Sequence, residues 1–383
     1  MIRGLVVYVL MASLIACTPT STWAAYYAFG DSLTDGSGAD APIHTNGYAW
    51  KLATRLGLPL TNFAHGGDMV PDQVGRAYSI RPAADDLFTI MLGVNDERIY
   101  GVDATKQGYF RDGLRALVTW LALGQRTLAV NGGVETGNSW TNTALYGIGR
   151  RATAVGDSKI FTNTGSVAYL SMIIAPSTLC TYTLTKDGSV IGSFDANAPG
   201  VTSYNGWPYS ERLHRIVGLV PGDQIGITMT GGSYCYVEWF GDNNQAGKPR
   251  VFVGNVVRQV SGGPQGYAMW GGSDANVAAY NVDVAQTVVD LHADGLDVTL
   301  VDVWSVVNTT TDIWQPVDGI HPTQSGHNKM ADTFYNAIMG AGPPPGDSFT
   351  FTLAPVYRRL NNGTTDGTFW IDDGASRKQL PVQ

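Results

Sequence analysis

Three cysteines in 383 residues leave little material for metal or redox chemistry. No Cys-x-x-Cys pair, His-Glu-x-x-His or EF-hand loop occurs, so no metal centre and no cofactor are expected. A Gly-x-Gly-x-x-Gly cradle is missing after the first apolar strand, which removes a nucleotide-binding reading. Charge is also scarce. Only 15% of residues are charged, the formal net charge is −8, and no basic cluster exists, which excludes a nucleic-acid partner. Low charge does not mean disorder here, because 44% of residues are hydrophobic and can build a core.

A long apolar run occurs at the N-terminus. Arg3 precedes the nearly unbroken apolar stretch 5–16, too short to span a bilayer comfortably, and the order charged-then-apolar is that of a signal peptide over 1–24. Two processing sites compete. Leu14-Ile15-Ala16-Cys17 is a lipobox-like site at which Cys17 would be acylated, and Thr22-Trp23-Ala24 is a small-residue site of ordinary secretion. The chain is expected to be exported, periplasmic or extracellular, touching a membrane only through a lipid on Cys17. The remaining Cys180 and Cys235 would then meet a compartment that permits a disulfide. Two buried free thiols are the alternative, since sequence does not show whether their Cα atoms approach.

Apolar strands at 26–29, 60–63 and 87–92 alternate with helical spacing at 48–56 and 110–123. The alternation returns with strands at 250–256 and 298–303 and helices at 282–293 and 328–339. This is the pattern of a parallel sheet covered on both faces, an α/β fold of three layers. Residues 126–247 differ, being rich in Gly, Ser, Thr, Asn and aromatics, with strand-like segments at 179–184 and 225–230 and helical turns expected at 211–217. They read as a β-sandwich-like domain inserted between two halves of the α/β domain, 25–125 and 248–340. Both junctions are polar and contain glycine, so the core is expected to stand without the insert. Residues 341–383 are a Gly/Pro linker and tail, with a strand-like stretch at 348–353.

Gly-Asp-Ser occurs three times, at 30–32, 156–158 and 346–348. The first follows a buried strand, where open α/β sheets bind ligands. A serine nucleophile needs a base and donors for an oxyanion. Gly66-Gly67 follows the second strand, Gly93-Val94-Asn95-Asp96 follows the third, and Asp318-Gly319-Ile320-His321 follows the last. This ordered set resembles the SGNH, or GDSL, hydrolase family over residues 25–124 and 248–340. The resemblance implies a flavodoxin-like sheet, Ser32 as nucleophile and His321 as base. It makes Asp318 the orienting acid, with Ser32 N–H, Gly67 N–H and the Asn95 amide as oxyanion donors. Gly66 precedes Gly67, so the backbone donor can be off by one position.

The implied reaction is ester hydrolysis through an acyl-enzyme. His65 and Trp314 are expected to line the site. Aromatics in the insert, Trp140, Trp207, Trp239, Tyr204 and Tyr209, suit an acetylated polysaccharide, because aromatic faces stack on sugars. Carbohydrate O-acetylesterase is therefore favoured over a lipase, a short-chain esterase or a thioesterase. The reading from another class is a surface or virion-associated binding module with a secondary hydrolase fold.

Overall fold

The computed structural model describes residues 23–143, 145–204, 209–260, 272–314 and 318–340. It also gives the backbone of two strands, Phe369–Asp372 and Arg377–Leu380, which pair antiparallel in a separate unit. Cys17 and nearly all of the leader, Trp207, the third Gly-Asp-Ser and the stretch 348–353 lie outside the described residues.

Five parallel strands form the centre. They are β1 (Ala25–Gly30), β2 (Leu60–Asn62), β3 (Asp86–Met91), Arg250–Gly254 and Val298–Val301. Across the sheet the order is Val298–Val301, Arg250–Gly254, β3, β1, β2. This is the flavodoxin-like order, with its switch point between β1 and β3. Alternation of side chains sorts the two faces. Tyr26, Ala28, Leu87, Met91 and Phe252 pack with the helices Tyr48–Leu56 and Gln324–Ile338. Phe29, Phe88, Ile90, Val251 and Val253 point the other way, into Val70–Ala77, Ala104–Ala122 and Asp274–Ala293. The helix Val70–Ala77, which carries Pro71 and Gly75, and the helix Val94–Tyr100 are additions to the sequence reading.

Two antiparallel sheets occupy the chain between Thr127 and Asp242. One contains Cys180–Lys186 and Gln224–Gly232, the other Val167–Ile174, Ser210–Val217 and Cys235–Asp242. Phe161, Leu170, Met172, Tyr182, Ile227 and Val237 fill the space between them. A Cys180–Cys235 disulfide joins the sheets, with Cα atoms 5.1 Å apart. The helical turns expected at 211–217 are instead part of the strand Ser210–Val217, paired along its whole length with Val167–Ile174. Pairing with a fully buried neighbour overrides a weak local preference.

This second sheet also covers the helix Ala104–Ala122. Val167, Tyr169, Leu213 and Trp239 share one buried cluster with Leu114, Leu117 and Trp120. Enclosed by sheets on both sides, the second half of that helix is buried almost all round, which its apolar run Ala116-Leu117-Val118-Thr119-Trp120-Leu121-Ala122 suits. Among the described residues no helix is long and apolar enough to cross a membrane.

Candidate active site

The site begins where β1 stops. Gly30 is held close to the chain: a Cβ there would lie 2.0 Å from Thr34 Oγ1 and 2.9 Å from the Met91 carbonyl oxygen. The chain then turns, with Asp35 N–H donating to Asp31 O at 2.9 Å and Leu33 N–H to Asp31 Oδ1 at 2.9 Å. Asp31 is fully buried, and burial pushes its carboxyl up to about 7 against the Leu33 hydrogen bond. Ser32 sits on this turn. Its hydroxyl does not cap a helix; Oγ lies 2.8 Å from His321 Nε2.

The histidine is held from behind. Its Nδ1 is 2.5 Å from Asp318 Oδ2, while Asp318 Oδ1 accepts the backbone N–H groups of Ile320 at 2.8 Å and His321 at 3.0 Å. Burial alone would raise the Asp318 carboxyl. Hydrogen bonding and charge from His321 outweigh it and leave the group below its ordinary range. With Nδ1–H donating to this carboxylate, Nε2 is the free acceptor and Ser32 the donor.

Gly67 follows β2 with a φ of +89°, a conformation that glycine takes without strain. Its loop is tied to the serine turn by buried Gln73, which accepts Gly30 N–H at 3.2 Å and donates to Asp68 Oδ2 at 2.6 Å. Asn95 stands in the first turn of Val94–Tyr100, directly after β3. Its Nδ2 donates to Asp68 O at 3.0 Å, and its Oδ1 accepts from Arg98 Nη1 at 2.9 Å. The next residue, Asp96, accepts Val70 N–H at 3.2 Å and fixes the neighbouring helix.

Ser32, Gly66, Gly67, Asn95, Asp318 and His321 thus border one cleft of about 480 Å³. Four segments, each following a different parallel strand, supply them, so the structure brings these six residues together. His65 and Trp314 are not among the cleft-lining residues. His65 turns to Asp68, with Nδ1 3.5 Å from Oδ1, and its side chain is mostly exposed. Trp314 serves the loop instead: its N–H donates to His321 O at 2.8 Å, and its ring is exposed. His214 and His327 are structural. Burial, helped for His214 by Arg212 and opposed for His327 by a Ser37 hydrogen bond, lowers them to about 3 and about 4.

Five cleft residues were not expected from sequence: Ser37, Arg98, Ile99, Ile320 and, by its placement, Tyr204. Tyr204 comes from the insert. Its N–H donates to Asp72 Oδ2 at 3.0 Å, and Thr202 beside it exchanges hydrogen bonds with the Tyr100 hydroxyl at 2.8 and 3.1 Å. A Cβ at Gly67 would fall 2.6–2.8 Å from three atoms of the Tyr204 ring. Among the described residues no His, Cys, Asp and Glu cluster could hold a metal ion.

Two family models match the chain. The GDSL-like Lipase/Acylhydrolase family matches residues 28–155, and a GDSL-like Lipase/Acylhydrolase model matches 257–334. Ser32, Gly67 and Asn95 fall in the first match, Asp318 and His321 in the second. No protein of curated function matches the sequence. Similar solved structures include a putative arylesterase from Agrobacterium tumefaciens str. C58, 14% identical with TM-score 0.41, covering 83% of this chain and 99% of that one. A Clostridium thermocellum family 3 carbohydrate esterase is 12% identical with TM-score 0.38, covering 82% and 96%. A two-domain esterase active on acetylated mannans is 13% identical with TM-score 0.31, covering 58% and 91%. The chain belongs to the GDSL-like lipase/acylhydrolase family and is a carboxylic ester hydrolase.

Proposed function

We propose that the protein is a serine esterase that removes acyl groups, chiefly acetyl, from carbohydrate hydroxyls. The observation that carries the chemistry is the unbroken relay Ser32–His321–Asp318 along the wall of a cleft. Neutral His321 accepts the Ser32 proton as Oγ attacks the ester carbonyl. The oxyanion forms beside the N–H groups of Ser32 and Gly67 and the Asn95 amide. His321 then protonates the departing alcohol, and water releases the acyl group by the same steps in reverse. Asp318 stays ionised throughout and holds the imidazole in the tautomer the reaction needs.

Support for a sugar comes from Tyr204, an exposed aromatic face at the cleft whose backbone is held by its own N–H to Asp72 and by Thr202 to Tyr100. Ile99 and Ile320 offer a small apolar surface suited to a short acyl chain. The other insert aromatics supply less. Trp239 is fully buried, while Trp140 and Tyr209 pack against the core of the insert. An exported location, with processing after Ala24 or acylation at Cys17, fits the leader and a disulfide-bonded insert.

The test compares wild type with Ser32→Ala and Ser158→Ala on p-nitrophenyl acetate, an acetylated glycan and a long-chain ester. Ser32→Ala should be inactive and Ser158→Ala unaffected, with acetate released from the glycan. Loss through Ser158 instead would overturn the site. Preference for the long-chain ester would overturn the substrate class.

A further inference from the structure

Arg98 lies three residues beyond Asn95 on the same short helix, and the acyl-transfer scheme above gives it no role. Its guanidinium borders the cleft, and its Nη1 donates to Asn95 Oδ1 at 2.9 Å. Burial draws its pKa down, while the carboxylates of Glu97, Asp31 and Asp318 oppose the shift, so the charge is held inside the site.

An asparagine amide is a two-fold object: turning it over exchanges an acceptor for a donor with almost no change of shape. Only the donor end can stabilise an oxyanion. Two partners here leave one orientation. Arg98 has no acceptor, so it must face Oδ1, and the Asp68 carbonyl has no donor, so it must face Nδ2 at 3.0 Å. The flipped amide would set N–H against guanidinium and oxygen against oxygen. One Nδ2 hydrogen is spent on Asp68 O, which leaves the second for the substrate.

We propose that Arg98 is a positioning residue that locks the Asn95 amide with its donor end toward the reacting carbonyl. The proposal rests on the reading of Asn95 as an oxyanion donor. Without Arg98 one of the two constraints is gone, Oδ1 turns to seek another donor, and the hole is no longer pre-formed when the charge develops. The loss falls on the transition state, so kcat carries it and KM does not. Its ceiling is the value of the donor itself, roughly 10²–10³ in kcat.

The experiment is a double-mutant cycle on p-nitrophenyl acetate with Arg98→Met, which keeps the apolar stem, and Asn95→Ala. Arg98→Met should lower kcat by roughly tenfold or more. The same change in an Asn95→Ala background should cost nearly nothing further, since there is no amide left to orient. Arg98→Lys, which still offers a donor, should recover much of the activity and gives a second variant if Arg98→Met folds poorly. Independent, multiplying losses in the cycle would overturn the positioning role while leaving Asn95 as donor. An Asn95→Ala enzyme with normal kcat would overturn the oxyanion reading, and the proposal with it.

Discussion

Replacing Gly67 by alanine separates backbone strain from collision and from catalysis. At a φ of +89° an alanine is strained by about 1–3 kcal/mol. The added Cβ also falls 2.6–2.8 Å from the Tyr204 ring, well inside contact distance. Tyr204 is 56% exposed, so its ring can swing aside at small cost, whereas the φ penalty can be relieved only by turning the peptide. That turn moves the N–H that the oxyanion requires. The expected stability loss is therefore about 1–3 kcal/mol, a few degrees in Tm for a unit of this size. The expected loss in kcat is larger, roughly 10²–10³, the value of one donor. Thermal melts and p-nitrophenyl acetate kinetics on Gly67→Ala, Tyr204→Ala and the double variant resolve the parts. Tyr204→Ala should not restore kcat to the double variant, because the ring is not the main obstacle. A Gly67→Ala enzyme with unchanged kcat would refute the reasoning and move the donor to Gly66, which also borders the cleft.

Two further outcomes test the junction between insert and core. Burial pushes the Glu211 carboxyl from 4.5 up to about 8, so folding stability should fall as pH rises through that window, where the unfolded chain has already lost the proton. Asp31, Glu97 and Glu238 are also raised by burial, so Glu211→Gln should reduce rather than abolish the loss in melts taken across the window. An unchanged slope would show that the Glu211 carboxyl is ionised when folded. Trp239 is fully buried and donates to the Tyr78 hydroxyl at 2.8 Å, so Trp239→Ala should cost about 3–5 kcal/mol in one cooperative transition. A separate early transition of the insert would contradict that.

The sheet was legible because parallel strands buried on both faces read as apolar runs, and β3, with every residue buried, is the clearest case. Ser32 and Asn95 were legible because they follow such runs within a few residues, whereas Asp318 and His321 lie well beyond Val298–Val301 and were legible through their own Asp-x-x-His spacing. Arg98 was not: Asp96 and Glu97 beside it are fully buried, and nothing in Asp96-Glu97-Arg98 says which of the three charges reaches the cleft. Tyr204 was legible as an aromatic but not as a cleft residue, since more than 130 positions separate it from Gly67 and Asp72 along the chain. His65 and Trp314 misled because proximity in sequence to a catalytic residue does not decide where a side chain points. The strand Ser210–Val217 was missed because it lies at a sheet edge and its strand partner, Val167–Ile174, is remote in sequence.

The polar, glycine-containing junctions suggested an insert that the core could do without, and the packing argues otherwise. Removing it would uncover the Tyr78 and Trp120 rings, 4.5 Å apart, which now lie beneath Trp239. Large aromatics bury roughly 150–250 Å² each. At about 25 cal/mol per Å², exposing two of them costs on the order of 10 kcal/mol as an upper bound. That rivals the whole stability of a typical domain, about 5–15 kcal/mol. The same deletion would take Tyr204 from the cleft and release the Tyr100 hydroxyl from Thr202. Loop chemistry at a junction reports only where a chain can be interrupted. Whether the interruption has become part of the enzyme is decided by the surface it covers, and here that surface is a helix buried on both sides.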